Sequence, residues 1–164
     1  MTESVLPATV EAGSRSGLRS AALWCLAGLF LLRVIGQALV EFIHVDFLPK
    51  SNEWHSGLLP YPVLLSSQIV ILIVQVKICV DFQRGRGSTF EPRKWLGPFL
   101  AVFGFLYLTA MIARYVIRMA RHPGERWFGG CIPIFFHWVL AAFVLVLAFH
   151  HLRKSPTPTP PKPL

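Results

Sequence analysis

Four side chains able to carry charge or hydrogen bonds follow one another inside the first long apolar stretch of this sequence. They are Arg33, Gln37, Glu41 and His44. Separations of 4, 4 and 3 residues place all four on one face of a helix. An ionised side chain inside a bilayer costs a few kcal/mol on insertion scales, and Arg33 lies close to the middle of its stretch. We therefore expect this face to turn toward neighbouring helices and away from lipid.

Polar residues also lie inside the other three apolar stretches. Tyr61, Gln68 and Gln75 recur every seven residues and so share one helix face. Arg114 lies in the second half of the third stretch, and His137 lies six residues, about 9 Å, below the start of the fourth. The predicted ligand-binding site or buried polar network consists of Arg33, Gln37, Glu41, His44, Tyr61, Gln68, Arg114 and His137.

The elements that must carry these residues are four apolar stretches, at residues 21–43, 58–80, 96–117 and 131–149. A helix needs about 20 mostly apolar residues to cross a bilayer, and lipid offers no partner to exposed backbone groups. The chain is 54% hydrophobic and only 15% charged, with a mean hydropathy of +0.54, which argues against an ordinary soluble domain. We predict an all-α fold, an integral membrane four-helix bundle with both termini on the same side.

The remaining segments are expected to flank this bundle. We predict an N-terminal cytoplasmic tail over residues 1–20, a four-span transmembrane domain over 21–154 and a disordered, proline-rich tail over 155–164. A cleavable signal peptide is the alternative for the first stretch, because Arg15 and Arg19 precede a run of apolar residues.

Basic residues set the expected orientation. Nine lysines and arginines lie in the N-terminal tail, the second loop and the C-terminal tail, against four in the first and third loops. The positive-inside rule then places both termini in the cytoplasm. With helices that alternate in direction, the polar half of every span lies toward the outer face. This predicts a polar cavity open to the outer face; interhelical hydrogen bonding that only fixes the packing is the alternative.

The charges inside the spans indicate the class of ligand. Arg33 and Arg114 outnumber Glu41 there, so an anionic or lipid-like small ligand fits better than a cation. We predict a binding or accessory membrane protein rather than an enzyme. A small membrane enzyme or haem-binding redox subunit using His137 and Glu41 is one alternative, and a structural subunit of a membrane complex is another. No cofactor and no metal site is predicted, because the histidines lack regular metal-ligand spacing and His137 lacks a partner at matching depth for haem.

The second loop indicates the partners. It combines basic residues with aromatic ones, a composition that suits anionic lipid headgroups. The residues concerned are Phe82, Arg84, Arg86, Phe90, Arg93, Lys94 and Trp95. We expect contact with the lipid bilayer and these headgroups, and with other membrane subunits or a second copy of the chain, but not with nucleic acid. The predicted location is the plasma (inner) membrane of a bacterium.

Overall fold

The protein is all-α, and its computed structural model describes residues 7–43, 61–121 and 132–152. Four helices fill these ranges: α1 (Pro7–Ile43), α2 (Tyr61–Arg84), α3 (Leu96–Arg121) and α4 (Ile132–Leu152). Each contains a segment long and apolar enough to cross a membrane: Gly17–Phe42, Pro62–Arg84, Leu96–Arg121 and Pro133–Leu152. The predicted fold class, a four-helix membrane bundle, is confirmed.

The helices are longer than the apolar stretches that predicted them. Helix α1 begins at Pro7, fourteen residues before the predicted start, and α3 continues to Arg121. Apolarity marks only the part of a helix that lies in lipid, whereas the helix continues wherever the backbone can keep its hydrogen bonds. The Pro-rich tail over 155–164 lies outside the described residues.

Neighbouring helices run antiparallel, and α1 and α4 occupy the middle of the arrangement. Helix α1 packs against α2 and α4, and α4 also packs against α3. Gln37 of α1 meets Gln68 of α2, while Arg19 of α1 meets His150 of α4. The N-terminal part of α1 therefore lies beside the C-terminal end of α4, which we call the inner end of the bundle.

The apolar core lies in the inner half of the bundle, between α1, α2 and α4. Its buried members are Leu23, Ala27, Ile78, Cys79, Phe82, Phe143 and Leu147. Large apolar side chains on the outside are exposed instead, for example Ile73 and Leu106, which are 65% and 67% exposed. That distribution suits helices whose outer surfaces contact lipid tails, which are as apolar as leucine.

Two glycines set the distance between α3 and α4. A Cβ atom on Gly97 would lie 2.9 Å from backbone atoms of His151 and Leu152, and one on Gly104 would lie 2.8 Å from Cδ2 of Leu145. Small residues at such positions let two membrane helices approach closely, which increases dispersion contacts between them.

The loop from Gly85 to Trp95 folds back onto the end of α2. The Asp81 carboxylate accepts hydrogen bonds from the Thr89 hydroxyl at 2.7 Å, the Thr89 backbone N–H at 3.3 Å and the Lys77 ammonium at 3.2 Å. Gly87 adopts a φ of 126°, and a Cβ there would lie 2.5 Å from the Asp81 carboxyl carbon. The turn therefore requires glycine, both for its backbone angle and for its contact with Asp81.

Candidate functional site

Five buried or half-buried polar residues from three neighbouring helices and α2 form what we call the outer polar network. They are Arg33 and Gln37 of α1, Gln68 of α2, Tyr107 of α3 and His137 of α4. All lie beyond the apolar core, toward the end of the bundle opposite the inner end. The network exists because α1 presents Arg33 and Gln37 on the face that also buries Phe30 and Val34, at spacings of three and four residues.

The two glutamines join α1 to α2. The Gln68 amide Nε2 donates to Oε1 of Gln37 at 2.9 Å, and the two side chains are only 3% and 1% exposed. Each amide keeps one further group without a partner among the described residues, namely Nε2 of Gln37 and Oε1 of Gln68. The pair therefore retains one free donor and one free acceptor inside the bundle.

Tyr107 and His137 join α3 to α4. The Tyr107 hydroxyl oxygen lies 2.6 Å from Nδ1 of His137. If the hydroxyl donates, the proton of the neutral imidazole lies on Nε2; if Nδ1 donates, the hydroxyl proton is free. Either arrangement leaves one unused hydrogen-bond donor on the pair.

Arg33 is the charged member of the network. Its side chain is 7% exposed, and its guanidinium carbon lies 5.5 Å from the centre of the Phe136 ring. Tyr107 and His137 are near enough for the guanidinium charge to act on them. Within residues 7–43, 61–121 and 132–152, no carboxylate forms an ion pair with Arg33, and its Nε atom is buried without a hydrogen-bond acceptor. The arrangement is a buried cation beside a ring face and several hydrogen-bonding groups.

The structure brings together four of the eight residues predicted for the site, namely Arg33, Gln37, Gln68 and His137. Arg114 is exposed, although its charge is close enough to act on His137. Glu41 is half-buried on α1 and makes a contact of its own. Tyr61 is the first residue of α2, but its side chain, like the whole of His44, lies outside the described part of the chain.

Sequence reasoning left two buried residues out of the predicted site. Tyr107 precedes Arg114 by seven residues, and Gln75 follows Gln68 by seven, so both repeat the helical phase of a predicted residue. Gln75 is 2% exposed, and neither of its amide atoms has a partner among the described residues. Helical phase alone was the available signal, and it did not reveal which of two residues in phase meets another helix.

A second polar cluster, at the inner end, was not predicted. The guanidinium of Arg19 donates to Nδ1 of His150 at 3.3 Å, and Nε2 of His150 donates to the Phe90 carbonyl oxygen at 2.6 Å. The Arg93 backbone N–H donates to Nδ1 of His151 at 3.3 Å. Because both Nδ1 atoms accept, both imidazoles carry their proton on Nε2. These contacts fasten the loop between α2 and α3 to the end of α4.

Three observations bound what the site holds. The described residues contain no group of three or more histidines, cysteines or carboxylates placed to hold a metal ion. The two described histidines other than His137, His150 and His151, lie at the inner end of the bundle, so neither faces His137 across a haem-sized space. Comparison of the chain with protein-family models, with curated proteins and with solved structures finds no match. The function of this membrane protein must therefore be argued from its own residues.

Proposed function

We propose that this protein is a membrane-embedded binding protein that holds the anionic group of a small amphiphile at Arg33. The observation that carries the proposal is a guanidinium 7% exposed inside a membrane span, with no carboxylate paired to it among the described residues. An anionic ligand would supply the opposite charge that this arginine lacks.

The cost of burying an unpaired charge supports this proposal. Arg33 lies nine residues before the outer end of the span Gly17–Phe42, roughly 13 Å along the helix axis. An arginine near a helix end can extend to the interface, but this distance exceeds the reach of one side chain. Leaving a buried charge without its partner costs about 3–5 kcal/mol, so a bound carboxylate or phosphate would stabilise the bundle as well as occupy it.

The neighbours of Arg33 suit such a ligand. The Tyr107–His137 pair keeps one hydrogen-bond donor, and Gln37 keeps its Nε2 donor. Donors around a cation favour carboxylate, phosphate and carbonyl oxygens. The Phe136 ring and the apolar core below it favour an aliphatic chain. The ligand we propose is therefore a single-chain amphiphile with an anionic head.

Entry from the outer face follows from where the polar and apolar layers lie. The apolar core fills the inner half of the bundle between α1, α2 and α4, so a polar head has no favourable route from that side. We propose accordingly that the site opens toward the loops outside the described residues. We also propose a bacterial plasma membrane as its location, in keeping with the basic inner segments.

A matched set of amphiphiles tests the charge requirement. Dodecanoate, dodecylamine and dodecanol share one chain and differ in head charge. In a neutral detergent, dodecanoate should raise the unfolding temperature of the wild-type protein; at a hundred times Kd the stabilisation is about 2.7 kcal/mol. The amine and the alcohol should leave the unfolding temperature unchanged.

Two variants make this test specific for Arg33. Arg33→Gln should abolish the shift by dodecanoate, because the amide retains hydrogen bonding but not charge. Arg121→Gln removes an exposed charge at the end of α3 and should respond like the wild type. Equal shifts with dodecanol and dodecanoate, or a full shift in Arg33→Gln, would overturn the proposal.

A further inference from the structure

An open groove of about 380 Å³ lies between α1 and α2 at the inner end of the bundle. Gly17, Ser20, Ala21 and Trp24 of α1 line it, together with Phe82 and Gln83 of α2. The four α1 residues are spaced by three, one and three positions, so they share one helix face. The groove exists because three of them are small, which leaves space between α1 and the end of α2.

The groove lies where the membrane surface meets the bundle. Gly17 begins the first membrane segment and Arg84 ends the second, so one end of the groove lies at the level of the lipid headgroups. Trp24 lies seven residues further along α1, roughly 10 Å deeper. The lining changes along that depth from Ser20 and Gln83, which can hydrogen-bond, to the Trp24 and Phe82 rings.

The rim of the groove carries positive charge. Arg84 and Arg86 directly follow the groove residue Gln83 and are both exposed. The nearest carboxylate, Asp81, is already bound by Lys77 and by Thr89 on the adjoining loop. An anion at the rim would therefore meet two arginines and little repulsion.

We propose that this groove binds one anionic phospholipid of the inner leaflet, with its phosphate at Arg84 and Arg86 and the start of an acyl chain along Trp24. The volume falls in the range of small-molecule sites, and the sequence of lining residues matches a phospholipid from headgroup to chain. This site is separate from the outer polar network and involves none of its residues.

Titration of the purified full-length chain with phospholipids, followed by native mass spectrometry, tests the proposal. Phosphatidylglycerol should bind at lower concentration than phosphatidylcholine of the same acyl chains. Arg84→Gln should weaken phosphatidylglycerol binding about fivefold, the equivalent of ~1 kcal/mol for one basic residue beside an anionic surface. Arg121→Gln, the same change at an exposed site at the opposite end, should bind as the wild type does.

Filling the groove distinguishes it from a general basic surface. A Cβ on Gly17 meets nothing within 4 Å, so Gly17→Leu should fold while occupying the groove, and should weaken phosphatidylglycerol binding about tenfold or more. Gly28→Leu is the matched control, because Gly28 is on the same helix, also meets nothing within 4 Å and does not line the groove. Ser20→Leu serves as a second filling variant, and circular dichroism checks that each variant is helical.

The outcomes separate the occupants. Selective loss in Gly17→Leu and Arg84→Gln supports a phospholipid in the groove. Equal binding of the two phospholipids, loss in Arg84→Gln without loss in Gly17→Leu and Ser20→Leu, or a dimer peak that phosphatidylglycerol does not displace would overturn it.

Discussion

At the scale of single residues, the polar side chains inside the spans are held in pairs that link different helices. Gln37 binds Gln68 across α1 and α2, and Tyr107 binds His137 across α3 and α4. Hydrogen bonds between membrane helices contribute modestly, about 0.6 kcal/mol on average. Their larger effect is on specificity, because an amide without its partner in an apolar interior keeps its full desolvation cost.

The glutamine pair should therefore show strong coupling between its two members. Gln37→Leu and Gln68→Leu should each lower the free energy of unfolding by about 1–3 kcal/mol, since each leaves the other amide buried without its partner. The double variant should lose less than the sum of the single losses. Chemical unfolding in mixed micelles of the wild type, both singles and the double variant measures the coupling; strictly additive losses would show that the two amides do not interact.

Arg33 differs from these pairs because its charge is not matched. We interpret the glutamines and the Tyr107–His137 pair as the polar surroundings of a charged centre. In the absence of bound anion, Arg33→Gln should be neutral or stabilising, because the desolvation cost of the guanidinium disappears. That expectation separates Arg33 from the glutamines, whose loss should destabilise.

At the scale of elements, the closest contact in the bundle is between α3 and α4. Gly97 faces backbone atoms of His151 and Leu152, which cannot move without moving the helix, whereas Gly104 faces the side chain of Leu145. The two glycines therefore differ in how much added volume they can accept.

Adding one methyl group at each glycine tests this difference. Gly97→Ala should destabilise the bundle by about 1–3 kcal/mol, the usual cost of overpacking, and Gly104→Ala by less, because a leucine side chain can change rotamer. Gly28→Ala is the control, since its Cβ meets nothing within 4 Å and alanine favours helix. Thermal unfolding in detergent ranks the three; equal stability of Gly97→Ala and Gly28→Ala would contradict the close packing of α3 on α4.

The loop between α2 and α3 is fastened at both of its ends. Asp81 binds Thr89 from the α2 side, and His150 and His151 bind Phe90 and Arg93 from the α4 side. The loop thereby ties α2 to α4, two helices that do not pack directly against one another along their backbones.

Removing the Asp81 charge should loosen this loop. Asp81→Asn retains the size of the side chain but weakens charge-assisted hydrogen bonds to Thr89 and Lys77, which are roughly twice as strong as neutral ones. Limited trypsin digestion in detergent should then cleave faster after Arg84 and Arg86. Glu91→Gln neutralises an exposed carboxylate on the same loop and should be cleaved at the wild-type rate; an unchanged rate in Asp81→Asn would show that Asp81 does not hold the loop.

At the scale of the whole molecule, the antiparallel order of the helices places the two polar clusters at opposite ends. The outer polar network lies between four helices on one side of the apolar core, and the histidine cluster and the groove lie on the other. If both proposed sites are occupied, the chain binds an anion from each face of the membrane.

The orientation can be checked with reporter fusions. Fusions after Arg86 and Lys154 should report the cytoplasm, and fusions after Lys50 and Arg126 should report the opposite side, because basic residues concentrate in the inner segments. Alkaline phosphatase and green fluorescent protein provide complementary readouts. Fusions after Arg86 and Arg126 on the same side of the membrane would contradict the topology.

Much of this arrangement follows from the sequence by itself. The four spans, their helical nature and the burial of Arg33 and Gln37 on one face all depend on local composition and helical phase. Transfer of a segment into lipid is close to a sum over its residues, and a helix satisfies its own backbone hydrogen bonds. Those quantities can be read from consecutive residues without knowledge of what lies beside them.

Only the tertiary structure decided which helices are neighbours and which polar residues meet. Arg114 and Tyr107 share a phase on α3, yet Tyr107 reaches His137 while Arg114 is exposed. His150 and His151 end an apolar helix, but they bind a loop about 60 residues away in sequence. Lipid is as apolar as a helix surface, so hydrophobicity does not select one neighbour over another. That selection comes from contacts such as Gly97 against α4 and Gln37 against Gln68, which exist only once the helices are assembled.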